Sequence, residues 1–168
     1  MRFLKHLPAI LLTALPHLLA AQHKDIPPTD RFSISGAVKQ PMEWTATALA
    51  GMPQDTLSIA DSHDGSRHMM RGVLLKTLLD SAHVHTTDHK AYSQLCIVLT
   101  ASDGYKNIYS WNELFNTPVG DRIYVITEMD GHTISNLKGR ILVVSAADKN
   151  TNRRNLKSLS EIEVKMVE

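Results

Sequence analysis

Three Asp-Gly pairs, Asp64-Gly65, Asp103-Gly104 and Asp130-Gly131, punctuate the chain between short apolar runs, and this spacing constrains the fold more than any other feature. Asp-Gly supplies the positive φ that tight hairpin turns demand. Runs that meet at such corners read as antiparallel strands. "FSISGAV" alternates Phe32, Ile34 and, past Gly36, Val38 with a period of two, and "DTLSIAD" does the same with Leu57 and Ile59. With the Asp64-Gly65 turn after it, Thr56 to Arg71 reads as one hairpin.

One segment breaks the alternation. "VLLKTLLDSA", Val73 to Ala82, sets Leu74, Leu75, Leu78 and Leu79 at helical spacing with Lys76 and Asp80 turned away, which predicts a helix laid on a sheet. "SQLCIVLTA", "DRIYVITEM" and "GRILVVSAA" are apolar strands, and "SEIEVKMV" alternates Ile162, Val164 and Met166 against charges. Short helical turns are expected at Trp111 to Phe115 and at Arg153 to Leu159. Six to eight strands with one main helix make an α+β fold with mixed, mostly antiparallel sheets.

Residues 1–21 carry Arg2 and Lys5 ahead of an apolar run that ends in small residues, the layout of a secretory signal. A polar, Pro-Pro-containing leader follows over 22–31, and the domain is expected over 32–168. Localisation would then be periplasmic or secreted, with no membrane span once the signal is removed. Without the signal the balance changes from 18 basic and 17 acidic residues to 16 and 17. A near-neutral balance argues against nucleic-acid binding, whose affinity rests on a basic face. Cys96 is the only cysteine, so no intrachain disulfide can form.

The ordered series "FSISGAV", "SHDGS…RGVLLKTLL", "ASDGYKNIYSWNEL", "ITEMDGHTI", "GRILVV" and "RRNLKSLSEIEV" resembles the oxidoreductase molybdopterin-binding domain of the sulfite oxidase group, in particular its small exported single-domain members. The resemblance implies a mixed α+β fold with a cleft for a molybdenum atom on a pterin dithiolene. It also implies a cysteine metal ligand between the second strand and the "GVLLKTLL" helix. Here that segment reads "TLSIADSHDGSRHMMRG" and holds no cysteine. Cys96 lies a helix later, within "LCIVL", where a free thiol is expected to pack as a small hydrophobe.

Candidate site residues follow from both lines of reasoning. Lys149, Arg153, Arg154 and Lys157 lie within nine residues, and guanidinium forks beside a helix start suit a phosphate or carboxylate. A solvated charged loop is the competing reading. The resemblance favours a site, because the family holds its pterin phosphate with basic residues in a comparable late segment, and Arg153 and Arg154 are the first choice there. Asp103 and Tyr105 read first as a hairpin turn. Should that corner border the cleft, a carboxylate and a phenol can hydrogen-bond a polar heterocycle. His63 falls in the segment that would face the cleft.

Five histidines, His63, His68, His83, His85 and His89, crowd into 27 residues, but no spacing among them is diagnostic and no metal site is assigned. The expected function is an exported binding module that lacks the metal-ligating cysteine and takes a small anionic or heterocyclic ligand or another exported protein. The alternative is an active molybdopterin-dependent oxidoreductase with non-cysteine metal ligation. The cofactor is accordingly none or molybdopterin, and enzymatic activity does not follow from the sequence.

Overall fold

A computed structural model describes residues 26–61, 64–137, 141–149 and 153–167. The segment 1–21 expected to be a signal, the first residues of the expected leader, and His63 lie outside the described residues. Ten strands form two sheets: β1 (Arg31–Gly36), β2 (Met42–Thr45), β5 (Leu95–Ala101), β6 (Lys106–Ser110) and β10 (Leu159–Met166) in the first, and β3 (Asp55–Ala60), β4 (Arg67–Leu74), β7 (Ile123–Met129), β8 (His132–Thr133) and β9 (Leu142–Ser145) in the second. Helices α1 (Ala46–Ala50), α2 (Leu75–Ser81) and α3 (Trp111–Phe115) are short. The expected α+β class is the one observed.

Sheet one has the order β2-β1-β10-β5-β6, antiparallel except for the parallel pair β1–β10. The closing strand is thus its centre. Ile162 and Val164 are buried while Glu161, Glu163 and Lys165 lie on the other face, as the period of two dictates. Parallel pairing brings Gly36 against Val164 at the end of β1, where Gly36 has φ +88°. A Cβ there would stand 2.1 Å from the Val164 carbonyl oxygen, so only glycine fits.

Sheet two runs β3-β4-β7, and β8 and β9 share one edge of β7, β9 along Ile123 to Ile126 and β8 along Glu128 and Met129. Phe32, Ile34, Ile97, Leu99 and Ile162 of sheet one join Val73, Val125 and Val143 of sheet two in a single buried cluster. Helix α2 adds Leu75, Leu78 and Leu79, all fully buried. Each such side chain contributes roughly 1.5–3 kcal/mol relative to exposure.

Several expectations are corrected. The helix begins at Leu75 instead of Val73, because β4 runs on through Leu74 to pair with Tyr124. No helical turn spans Arg153 to Leu159 among the described residues; Leu156 bridges Val143 and β10 starts at Leu159. The Asp130-Gly131 turn lies between the two apolar strands as expected, and joins β7 to the two-residue β8, which the pattern did not mark. Only this pair has positive φ at both residues, Asp130 at +51° and Gly131 at +77°. The Asp103-Gly104 corner closes with Gly104 N–H on the Ala101 carbonyl and Ala101 N–H on the Tyr105 carbonyl, with glycine alone at positive φ. That is a type I turn with a bulge.

Candidate functional site

A cleft of about 560 Å³ opens between the β3–β4–β7 wall and the Asp103 corner. Its floor and sides are largely apolar, from Ile59, Met70, Met129, Ala101 and Leu142. Charge enters from four points: Asp61 and His68 on the hairpin side, Asp103 and Lys157 on the other. The described residues just before β1 pass the mouth, with Ile26 against the cavity and Ser102 Oγ donating to the Pro27 carbonyl at 2.5 Å.

The Asp103 corner is braced by its own chemistry. Asp103 Oδ1 accepts from the Tyr105 N–H at 2.9 Å, an Asx turn. Beyond it, alternate residues from Tyr105 into β6 reach the same segment. Tyr105 Oη donates to the Arg153 carbonyl at 3.2 Å, Asn107 Nδ2 to the Arg154 carbonyl at 2.7 Å, and the Arg154 guanidinium lies 4.7 Å from the Tyr109 ring centroid. Period two therefore puts Tyr105, just before β6, and Asn107 and Tyr109 within it to work in holding residues 153 and 154, and this positions Asn155 and Lys157 at the cleft.

Arg154 does not reach the cavity. Its Nε and Nη2 grip both oxygens of Asp148, at 2.8 and 2.5 Å, and Nη1 donates to Glu113 Oε1 at 2.6 Å. Hydrogen bonds from Arg154, with a further one from Ser145 Oγ, hold the Asp148 carboxyl below the usual carboxylate range against the opposing effect of burial. The Arg154 cation is itself stabilised, first by Asp148 and then by Glu113. Glu113 sits three residues after Ser110, which caps α3 by accepting from the Glu113 N–H at 3.0 Å. Burial pushes the Tyr109 phenol up to about 12; its hydroxyl lies near Ser145 without a well-formed hydrogen bond.

Of the residues singled out from the sequence, the cleft gathers Asp103, Tyr105 and Lys157. Arg153 is exposed and Arg154 is committed to two carboxylates, so neither guanidinium lines it. The histidine that does is His68, whose Nδ1 meets Asp130 Oδ2 at 2.7 Å. That bond raises the imidazole above its ordinary value and lowers the Asp130 carboxyl. Asp130 also accepts from the Met69 N–H at 2.9 Å, so the turn residue clamps β4. The turn signal was visible in the sequence; the 62-residue separation of its partner hid the pair.

Cys96 lies outside the cleft. It is half-buried on β5 opposite Ser110 and Lys165, on the face of sheet one turned away from Ile97 and Leu99. The expectation of a core position is corrected by one residue of register: Leu95 and Ile97 take the inner face. His83 and His85 border a second cavity of about 390 Å³ with Trp111, Tyr92 and Asp80. No metal-holding group of three His, Cys, Asp or Glu side chains occurs among the described residues.

The sulfane dehydrogenase SoxCD from Paracoccus pantotrophus superposes with a TM-score of 0.59 at 15% sequence identity, over 80% of this chain and 37% of that one. The likeness is one of fold. This chain spans little more than a third of that dehydrogenase chain. No family model matches the sequence, and no curated protein does.

The family resemblance stated from the sequence implies a thiolate-bound molybdenum pterin. The described residues do not fit one. The cleft wall between β3 and the helix offers His68, Met70 and Asp61 but no thiol, and Cys96 faces away. The guanidinium best placed by sequence for a phosphate already has two carboxylate partners.

Proposed function

We propose that this chain is an exported binding module of the sulfite-oxidase-like group, with its ligand site in the 560 Å³ cleft and without a cysteine-bound molybdenum. The observation that carries the reading is the composition of the cleft wall: Asp103, Tyr105 and Lys157 converge on an apolar pocket that has no thiol among its described lining residues. A few polar groups over an apolar floor suit a small anionic or heterocyclic ligand, whose body packs on Ile59 and Leu142 while its polar edge meets the charged rim. Lys157 supplies a cation for an acidic group, and the Asp103 carboxylate accepts from ring N–H groups.

Metal and pterin analysis of the full chain, purified from the exported fraction of its native host, tests this. Less than a few hundredths of a molybdenum per chain is expected. Stoichiometric molybdenum with a pterin would overturn the reading in favour of an oxidoreductase with non-cysteine ligation.

A further inference from the structure

One wall of the cleft carries a donor set that the organic-ligand reading does not use. His68 and Met70 are two residues apart on β4 and project from one face of the sheet. Met129 stands directly opposite Met70 in the β4–β7 register. Facing residues in an antiparallel pair have Cβ atoms about 4.5–5.5 Å apart, well within reach of long thioether side chains. All three side chains line the same cavity.

One ring nitrogen of the imidazole is tied to a carboxylate, as is common in ligating histidines. Its Nδ1 is held by the Asp130 carboxylate at 2.7 Å, the outer partner that fixes ring and tautomer and leaves Nε2 as the donor atom. Nε2 faces Ser66 Oγ at 3.5 Å, the outer limit of a hydrogen bond. Packing alone accounts for two methionines on an apolar wall. It does not account for a carboxylate-oriented imidazole beside them. Hard cations such as Mg²⁺ and Ca²⁺ call for oxygen donors, whereas thioethers select Cu(I).

We propose that the thioethers of Met70 and Met129 and Nε2 of His68 form a Cu(I) site in the wall of the cleft. It shares the cavity with the proposed ligand but does not rest on that ligand being bound.

The test is anaerobic titration of the full chain with Cu(I) in competition with bathocuproine disulfonate. One equivalent per chain should be withdrawn from the chelator, and X-ray absorption should show sulfur and nitrogen neighbours. Met70→Leu and Met129→Leu should each weaken affinity at least about tenfold, and Asp130→Asn by about 10–100-fold, as outer partners do. Met69→Leu, on the opposite face and half exposed, should leave it unchanged. Leucine preserves the volume of methionine, so these variants keep the fold, which circular dichroism verifies. No withdrawal from the chelator, full affinity in the Met70→Leu/Met129→Leu double variant, or loss of binding in Cys96→Ser alone would each overturn the proposal. The molybdenum and pterin analysis reads out the ligand proposal separately.

Discussion

The guanidinium of Arg154 lies over the Tyr109 ring, 4.7 Å from its centroid, and cannot leave without unpairing Asp148 and Glu113. A residue that reads in sequence as an anion receptor is therefore the bolt between α3, β6 and the segment that enters β10. Its two carboxylate partners are mostly sheltered from water, at 14% and 29% side-chain exposure, so their loss is not cushioned by solvent to the degree an exposed pair would be.

Arg154→Ala should destabilise the protein by about 2–3 kcal/mol, somewhat below the cost of breaking a fully buried pair because Arg154 itself is partly solvated. Urea denaturation measures it. A double variant that also carries Asp148→Ala should recover part of the loss, since it removes one stranded charge. Strict additivity of the two single losses would disprove the coupling.

Acid should reveal the same pair. The folded-state Asp148 carboxyl lies below its unfolded value, so the pair's contribution is present above the ordinary aspartate pKa of about 3.9 and is lost as pH falls through the lower folded value. Asp148→Asn cannot titrate. Its stability should therefore fall less steeply with acid over that window than the parent's, and equal slopes would refute the assignment.

At the alkaline end Tyr109 is the reporter. Its phenol is raised to about 12, chiefly by burial, so the neutral form's stabilisation is complete below the unfolded tyrosine value near 10 and disappears as pH climbs through the folded one. Absorbance at 295 nm should show a late phenolate step that Tyr109→Phe abolishes. Because the hydroxyl is buried without a hydrogen-bond partner, Tyr109→Phe should be neutral or stabilising, by up to about 1 kcal/mol.

Gly36 and Gly104 share φ +88° but not their surroundings. Gly104→Ala meets nothing within 4 Å and should cost only the left-handed backbone penalty, about 1–2 kcal/mol. Gly36→Ala adds a collision with the Val164 carbonyl and should cost more than about 3 kcal/mol by separating β1 from β10. Thermal denaturation of the two variants ranks them, and equal losses would refute the close approach.

How much of this was legible beforehand varies residue by residue. The alternation of "SEIEVKMV" predicts a half-buried strand, and β10 is one; nothing in those eight residues says that it pairs in parallel with β1 at one side and antiparallel with β5 at the other. The period of two in "YKNIY" puts Tyr105 and Tyr109 on one side. That their target is the backbone and guanidinium of residues 153 and 154 depends on a contact across more than forty positions.

Strand, helix and turn propensities belonged to the sequence alone, because they arise from side chains and backbone dihedrals within a few residues of one another. So did the absence of a thiol from "TLSIADSHDGSRHMMRG". The tertiary structure decided that Arg154 is spent on two carboxylates, that Cys96 lies on the face turned away from Ile97, and that His68 meets Asp130 beside Met70 and Met129. Those outcomes follow from strand register and sheet packing. Each depends on the whole set of long-range pairings competing at once, and no window of local pattern contains that competition.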